Sequence, residues 1–117
     1  MRIINFFTTE SGNKPVQEFL DSLSDKQAEK ILWVLRLIRE YEKVPRQYLK
    51  KMINTDGLWE IRTVQSGNAF RLLGFFDGNE LIVLTNGFQK KTQKTPKKEI
   101  VLAQKRKKIY LARKKNG

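Results

Sequence analysis

The chain has 117 residues, 39% hydrophobic and 31% charged, which fits one domain able to fold without a disulfide or a structural metal. It contains no Cys and no His, which excludes thiol nucleophiles, Cys-ligated metal sites and the Ser-His-Asp triad. Lys and Arg total 24 against 12 Asp and Glu, a net charge of +12, and no apolar run approaches the roughly 18 residues that cross a bilayer.

The N-terminus, MRIINFFTTE, has no signal-peptide pattern, so a cytoplasmic location is expected. Residues 2–7 are β-branched and aromatic and predict a first strand. Gly12-Asn13 breaks it. Pro15 suits the first turn of a helix, and Val16, Phe19, Leu20 and Leu23 follow at helical spacing. Ser24 and Gln27 form a capping box for a second helix running to about Lys43. Its apolar face is Ala28, Ile31, Val34, Leu35, Ile38 and Tyr41. Pro45 stops it, and residues 46–53 predict a short helical turn.

Three strand-like runs come next, Leu58–Val64, Ala69–Phe76 and Glu80–Phe88. The links Gln65-Ser66-Gly67-Asn68 and Asp77-Gly78-Asn79 are hairpin signals, so the runs form an antiparallel meander. Gly87 allows a bend or bulge. Thr95 then caps a last helix with Pro96 at its first position. That helix is apolar at Ile100, Ala103, Tyr110 and Leu111, with Lys107 interrupting the face. The fold class is therefore α+β: a small twisted antiparallel sheet, made of the N-terminal strand and the three-stranded meander, packed with two N-terminal helices and a C-terminal helix. It reads as one domain over 1–117, with a basic end fraying from about residue 113.

The charge is not evenly spread. Residues 86–117 hold 12 of the basic side chains and a single acid, Glu99, whereas residues 1–85 are nearly balanced. Such a localised excess points to a polyanionic partner, nucleic acid first and an anionic membrane surface second; the alternative is a solvated Lys-rich helix.

With Ser66-Gly67 as a two-residue loop, Val64 faces Ala69 and Arg62 faces Arg71. Both guanidiniums then lie on one face of the sheet. Like charges directly opposite each other destabilise a sheet, so the pair implies an anion, or a salt-bridge row with Glu60 on the same face. Trp59, Ile61, Phe70, Leu72 and Phe76 form the other, core face. The third run leads Lys90, Lys91 and Lys94 toward the rim of the arginine face. A basic cleft of this kind suits a phosphodiester, with Arg binding in bidentate fashion and Lys acting as a point charge.

Three strings together carry a resemblance: Gly57-Leu58-Trp59-Glu60-Ile61-Arg62, then Ala69-Phe70-Arg71-Leu72-Leu73, then Thr85-Asn86-Gly87-Phe88-Gln89-Lys90-Lys91-Thr92-Gln93-Lys94-Thr95-Pro96. With Glu99-Ile100, Ala103, Pro15-Val16, Glu18-Phe19-Leu20 and Leu23, the chain resembles the RelE/ParE toxin superfamily, and within it the HigB-type, phage-derived branch. The resemblance implies a RelE-like fold and the toxin of a type II toxin–antitoxin pair, whose antitoxin is often a helix-turn-helix protein. It implies a ribosome-dependent mRNA endoribonuclease that needs no metal or other cofactor and has no membrane partner. Carried over, the catalytic positions fall on Arg62, Arg71, Lys90 and Lys91, with Glu60 beside them. Two departures stand out: the usual Tyr before the second arginine is Phe70, and Tyr110 lies well down the last helix.

On that reading the ribose 2′-OH attacks the adjacent phosphate, leaving a 2′,3′-cyclic phosphate. Arg62 and Arg71 stabilise the developing charge, and Lys90 or Lys91 serves the leaving oxygen. Glu60 is the candidate base, and a carboxylate between two guanidiniums makes a weak one. Lys94, Lys97, Lys98, Lys105, Arg106 and Lys108 would dock on ribosomal RNA. Two other readings stay open, a ParE-like gyrase inhibitor and an inactive RNA-binding relic of the family. Leu32, Trp33 and Leu37 widen the apolar stripe of the second helix, either as core or as an antitoxin-facing patch.

Overall fold

A computed structural model describes residues 1–117. Five strands and three helices form in the order β1 (Ile3–Phe6), α1 (Pro15–Asp21), α2 (Asp25–Glu40), β2 (Leu49–Lys51), β3 (Leu58–Gln65), β4 (Asn68–Asp77), β5 (Leu81–Lys90) and α3 (Lys97–Asn116). Local rules account for most of these boundaries. Pro15 opens α1. The box at α2 closes in both directions: Gln27 N–H donates to Ser24 Oγ at 3.3 Å, and Ser24 N–H donates to Gln27 Oε1 at 3.1 Å.

The end of α2 is set from a distance. Arg2, at the start of β1, donates to the carbonyls of Ile38, Tyr41 and Glu42. These donors take up carbonyls the helix leaves open, so α2 stops at Glu40 rather than near Lys43. Tyr41, expected on the apolar face, therefore lies outside the helix and is exposed.

The sheet order is β1-β5-β4-β3-β2. β3, β4 and β5 form the expected antiparallel meander, and β1 joins its edge parallel to β5, so the sheet is mixed. Residues 49–51, expected within a helical turn, instead pair antiparallel with Trp59–Ile61 as β2. Three residues show no periodicity of their own. Pairing with β3 and burial of Leu49 in the core decide their state.

The β3–β4 turn matches expectation. Ser66 and Gly67 have φ of 53° and 80°, as a two-residue hairpin loop of the primed type requires. The β4–β5 ladder carries a bulge, but at Thr85 rather than Gly87: Leu73 pairs with Asn86 and Gly74 with Leu84. The extra residue explains why Val83 and Asn86, three apart, both lie on the α3 side. Thr85 Oγ1 donates to Leu73 O at 3.1 Å and so occupies the break. Gly74 sits where a Cβ would collide with the Val83 carbonyl, so the bulge admits no side chain there.

Two cores flank the sheet. Helices α1 and α2 cover one face, where Val16, Leu20, Ile31, Val34, Leu35 and Ile38 meet Ile61, Phe70, Leu72, Ile82 and Leu84. Trp59 and Phe76 complete that face edge to face at 5.1 Å. Helix α3 covers part of the other face, where Ala103, Ile100, Ile109 and Tyr110 meet Leu58, Leu73, Phe75 and Val83. Leu111, expected in this contact, is exposed. Lys107 does not interrupt it: its Nζ lies over the Phe75 ring, 5.6 Å from the centroid, and donates to Asp56 O. No helix is long and apolar enough to cross a membrane.

Candidate active site

Helix α3 leaves the β3–β4 turn end of its sheet face uncovered, and the charged residues collect there. In the ladder Arg62 is the partner of Arg71, Glu60 of Leu73, and Lys50 of β2 lies opposite Glu60. Across β4, Phe88 pairs with Arg71 and Lys90 with Ala69, which puts Lys90 on the same face. Strand register alone thus gathers Lys50, Glu60, Arg62, Arg71 and Lys90.

Glu60 is the hub of this cluster. Its Oε1 lies 3.5 Å from Arg62 Nε and 3.6 Å from Arg71 Nε. Its Oε2 accepts the Thr95 hydroxyl at 2.7 Å. Thr95, expected to cap α3, spends its side chain on Glu60 instead, and Pro96 takes the N-cap position. The start of α3 is thereby tied to the site.

The two arginines differ. Arg71 is buried, its Nη1 donating to Phe70 O at 2.9 Å, while its Nε has no hydrogen-bond partner. Arg62 is a third exposed. Burial lowers the Arg71 pKa; Glu60 opposes that shift and Arg62 adds to it. Burial also lowers the Lys90 pKa from 10.5, and Arg71 lowers it further. Four cations against one carboxylate leave the cluster with excess positive charge and an unsatisfied buried donor. Its chemistry is that of a phosphate-sized anion site.

Not every expected residue joins it. Lys91 lies just past β5 and is exposed, and Lys94 is exposed in the loop before α3. Lys97, Lys98, Lys105 and Lys108 are exposed on the outer face of α3. Arg106 is not free with them: its Nη1 donates to Thr85 O at 2.8 Å, and its guanidinium packs over Phe7. The two aromatic departures lose their weight here. Phe70 points into the opposite core, 6.3 Å from Phe19, so a hydroxyl at that position would not face the arginines. Tyr110 donates to Asp77 at the far end of β4. Lys50 went unread in the sequence, and Thr95 reads there only as a helix cap. Only the β2 pairing and the docking of α3 bring them to Glu60.

The family model for phage-derived protein Gp49-like (DUF891) matches residues 18–108, a span that includes α2 and every residue of the cluster. The chain belongs to the Gp49-like family. Gp49-like proteins fall within the RelE/Gp49 toxin family and are associated with toxin–antitoxin systems, in which the toxin has an antitoxin partner. Among curated proteins no match is found.

Proposed function

We propose that this Gp49-like chain is a HigB-type toxin acting as a ribosome-dependent mRNA endoribonuclease. The observation that carries the reading is the pair Arg62 and Arg71, held on one open sheet face by Glu60 with Lys90 beside them. Such a site binds a phosphodiester and supplies charge where a pentavalent phosphate builds it up.

The 2′-oxygen of the ribose attacks its own 3′-phosphate, and the bond from phosphorus to the 5′-oxygen of the next nucleotide breaks. The products are a 2′,3′-cyclic phosphate and a 5′-hydroxyl. Arg71, buried and with its Nε ion-paired to Glu60 but not hydrogen-bonded, contacts the non-bridging oxygens, and Arg62 completes the clamp from the solvent side. Lys90 gives its proton to the departing 5′-oxygen; the lowered pKa makes it a better acid than a free lysine. Lys91 lies on the rim and acts only through its charge. Glu60, the only carboxylate of the cluster, takes the proton that the attacking 2′-OH loses; its Oε1 is shared by two guanidiniums, which makes it a weak base, so alignment of the arginines is its main contribution. The ribosome supplies substrate positioning, and the antitoxin is of the helix-turn-helix kind.

Primer extension on mRNA in a reconstituted translation system tests this reading. Wild-type protein cuts within A-site codons, and Arg71→Ala lowers the rate by about 10²–10³. Undiminished cleavage by folded Arg71→Ala would refute the mechanism.

A further inference from the structure

The sheet edge beside the arginines carries a second feature that phosphate chemistry does not use. Strand β2 ends its pairing at Leu49–Ile61, so the last residues of β3 run on without it. A cleft of about 330 Å³ opens at that edge, lined by Lys30, Gln47, Tyr48, Arg62, Thr63 and Arg71 among others. Its lining thus joins the arginine pair to Tyr48 and to Lys30 of α2 around the open edge of β3.

Tyr48 continues the cleft outward. Its ring meets the Trp33 indole edge to face at 5.7 Å. Trp33 is 41% exposed, which is unusual for the largest apolar side chain, and its neighbour Leu32 is 48% exposed. Lys30, which also lines the cleft, places its Nζ 4.6 Å from the Trp33 ring centroid. The adjoining groove around Trp33 contains Lys26, Lys30 and Arg36 against the single acid Glu29. Thr63 adds an independent observation. It is buried, its Oγ1 has no hydrogen-bond partner, and it lines this same cleft. A buried hydroxyl left unpaired carries a free-energy cost that a bound polar group would remove.

We propose that the Trp33–Tyr48 edge is a base-stacking subsite for single-stranded RNA, flanking the phosphate held by Arg62 and Arg71. The inference rests on the endoribonuclease reading and extends it to the nucleotides beside the scissile bond. Aromatic platforms interleaved with cations are what single strands need: each base has a π-face to stack, and each phosphate finds a positive charge. In this arrangement a base displaces the Lys30 ammonium from the indole toward the backbone phosphate, and the Thr63 hydroxyl meets a polar edge of the nucleotide inside the cleft. The continuity of the aromatic pair with the arginine cleft favours RNA over a protein partner for this face.

The test is fluorescence anisotropy with a short, labelled, single-stranded 2′-O-methyl oligoribonucleotide, which cannot be cut because its 2′-oxygen is blocked. Trp33→Ala is expected to weaken binding by about 5- to 150-fold, and Trp33→Phe to retain most of the affinity. One abasic position, scanned along the oligonucleotide, should cost the wild-type protein a similar factor and cost Trp33→Ala nothing more. The abasic comparison needs no mutant to fold. Equal weakening of intact and abasic strands by Trp33→Ala, or no weakening of either, would overturn the subsite. If Arg71→Ala weakens binding and Trp33→Ala does not, the subsite fails and the nuclease reading stands. If neither does, both fail. A Trp33→Ala protein that binds RNA normally but escapes neutralisation by its co-expressed antitoxin would assign the face to a protein partner and overturn the proposal.

Discussion

Glu60 shows how one side chain can serve both fold and chemistry. It offsets the repulsion between Arg62 and Arg71, whose direct opposition in the ladder would otherwise destabilise β3 and β4. It also reduces the positive charge available to an anion. Glu60→Gln keeps an acceptor for Thr95 and removes the counter-charge. We expect this variant to bind an uncleavable RNA about two- to tenfold more tightly, because the cations are less neutralised, and to cleave more slowly, because the arginines lose alignment. Binding assays and single-turnover cleavage read the two effects separately. Tighter binding with unchanged cleavage would remove Glu60 from the mechanism. Lys90 gives a pH prediction. Burial and Arg71 lower its pKa from 10.5, so the protonated form is lost at a lower pH than for a free lysine. Cleavage should hold at neutral pH and fall as pH rises through that lowered value. Lys90→Arg should move the fall to higher pH, since a guanidinium keeps its proton. An unchanged alkaline limb in Lys90→Arg would exclude Lys90 as the acid.

At the scale of elements, α3 is the piece whose placement matters most. Its start is tied to the site through Thr95 and Glu60, and its far end is clamped to β4. Asp77 accepts Lys114 Nζ at 2.6 Å on one oxygen and the Tyr110 hydroxyl at 2.7 Å on the other. The Lys114 bond first, and the Tyr110 bond second, hold the Asp77 carboxyl below its ordinary 3.8. A depressed carboxylate contributes stability above its unfolded pKa and loses it as pH falls through the folded value. Asp77→Asn should therefore melt below wild type near neutral pH, and the gap should close as pH falls below the ordinary carboxylate value of 3.8. A gap that does not change from neutral pH to well below 3.8 would show that the clamp does not act through the charge. Arg113 adds a second tether, donating to Thr8 O at 2.6 Å with its guanidinium over Phe7. Cations on one side of α3 thus bind the helix to the body of the protein.

For the whole molecule, the nine basic residues of α3 divide into two populations. Arg106, Lys107, Arg113 and Lys114 are engaged by carbonyls, a carboxylate or aromatic rings. Lys97, Lys98, Lys105, Lys108 and Lys115 are exposed and unengaged on the outer side of α3. We expect the second group to carry the salt dependence of ribosome binding. Replacing these lysines by Gln should reduce the log–log salt slope by about 0.7–0.9 per phosphate contact removed and leave the melting temperature within about 2 °C. A slope unchanged in that variant would place ribosome docking elsewhere. Composition alone treats all of these charges alike, because it does not register which of them have a structural partner.

The sequence by itself determined the parts governed by short-range rules. The Ser66-Gly67 turn sets the β3–β4 register, because a two-residue primed loop leaves one pairing, and that pairing opposes Arg62 to Arg71. The Ser24–Gln27 box sets the start of α2, and alternation along β3 and β4 separates Ile61, Phe70 and Leu72 from Glu60, Arg62 and Arg71. Tertiary structure decided what depends on partners far along the chain. Residues 49–51 are a strand because β3 offers an edge and the core accepts Leu49. Thr95 turns from α3 to Glu60, 35 residues earlier, because the helix docks there. The bulge falls at Thr85, whose hydroxyl bonds across to Leu73 O opposite Gly74, and not at Gly87. Trp33 and Tyr48 become one aromatic edge only when α2 packs on the sheet beside the approach to β2. Local patterns carry the energy of turns and caps, whereas burial and long-range pairing select among the states those patterns leave open.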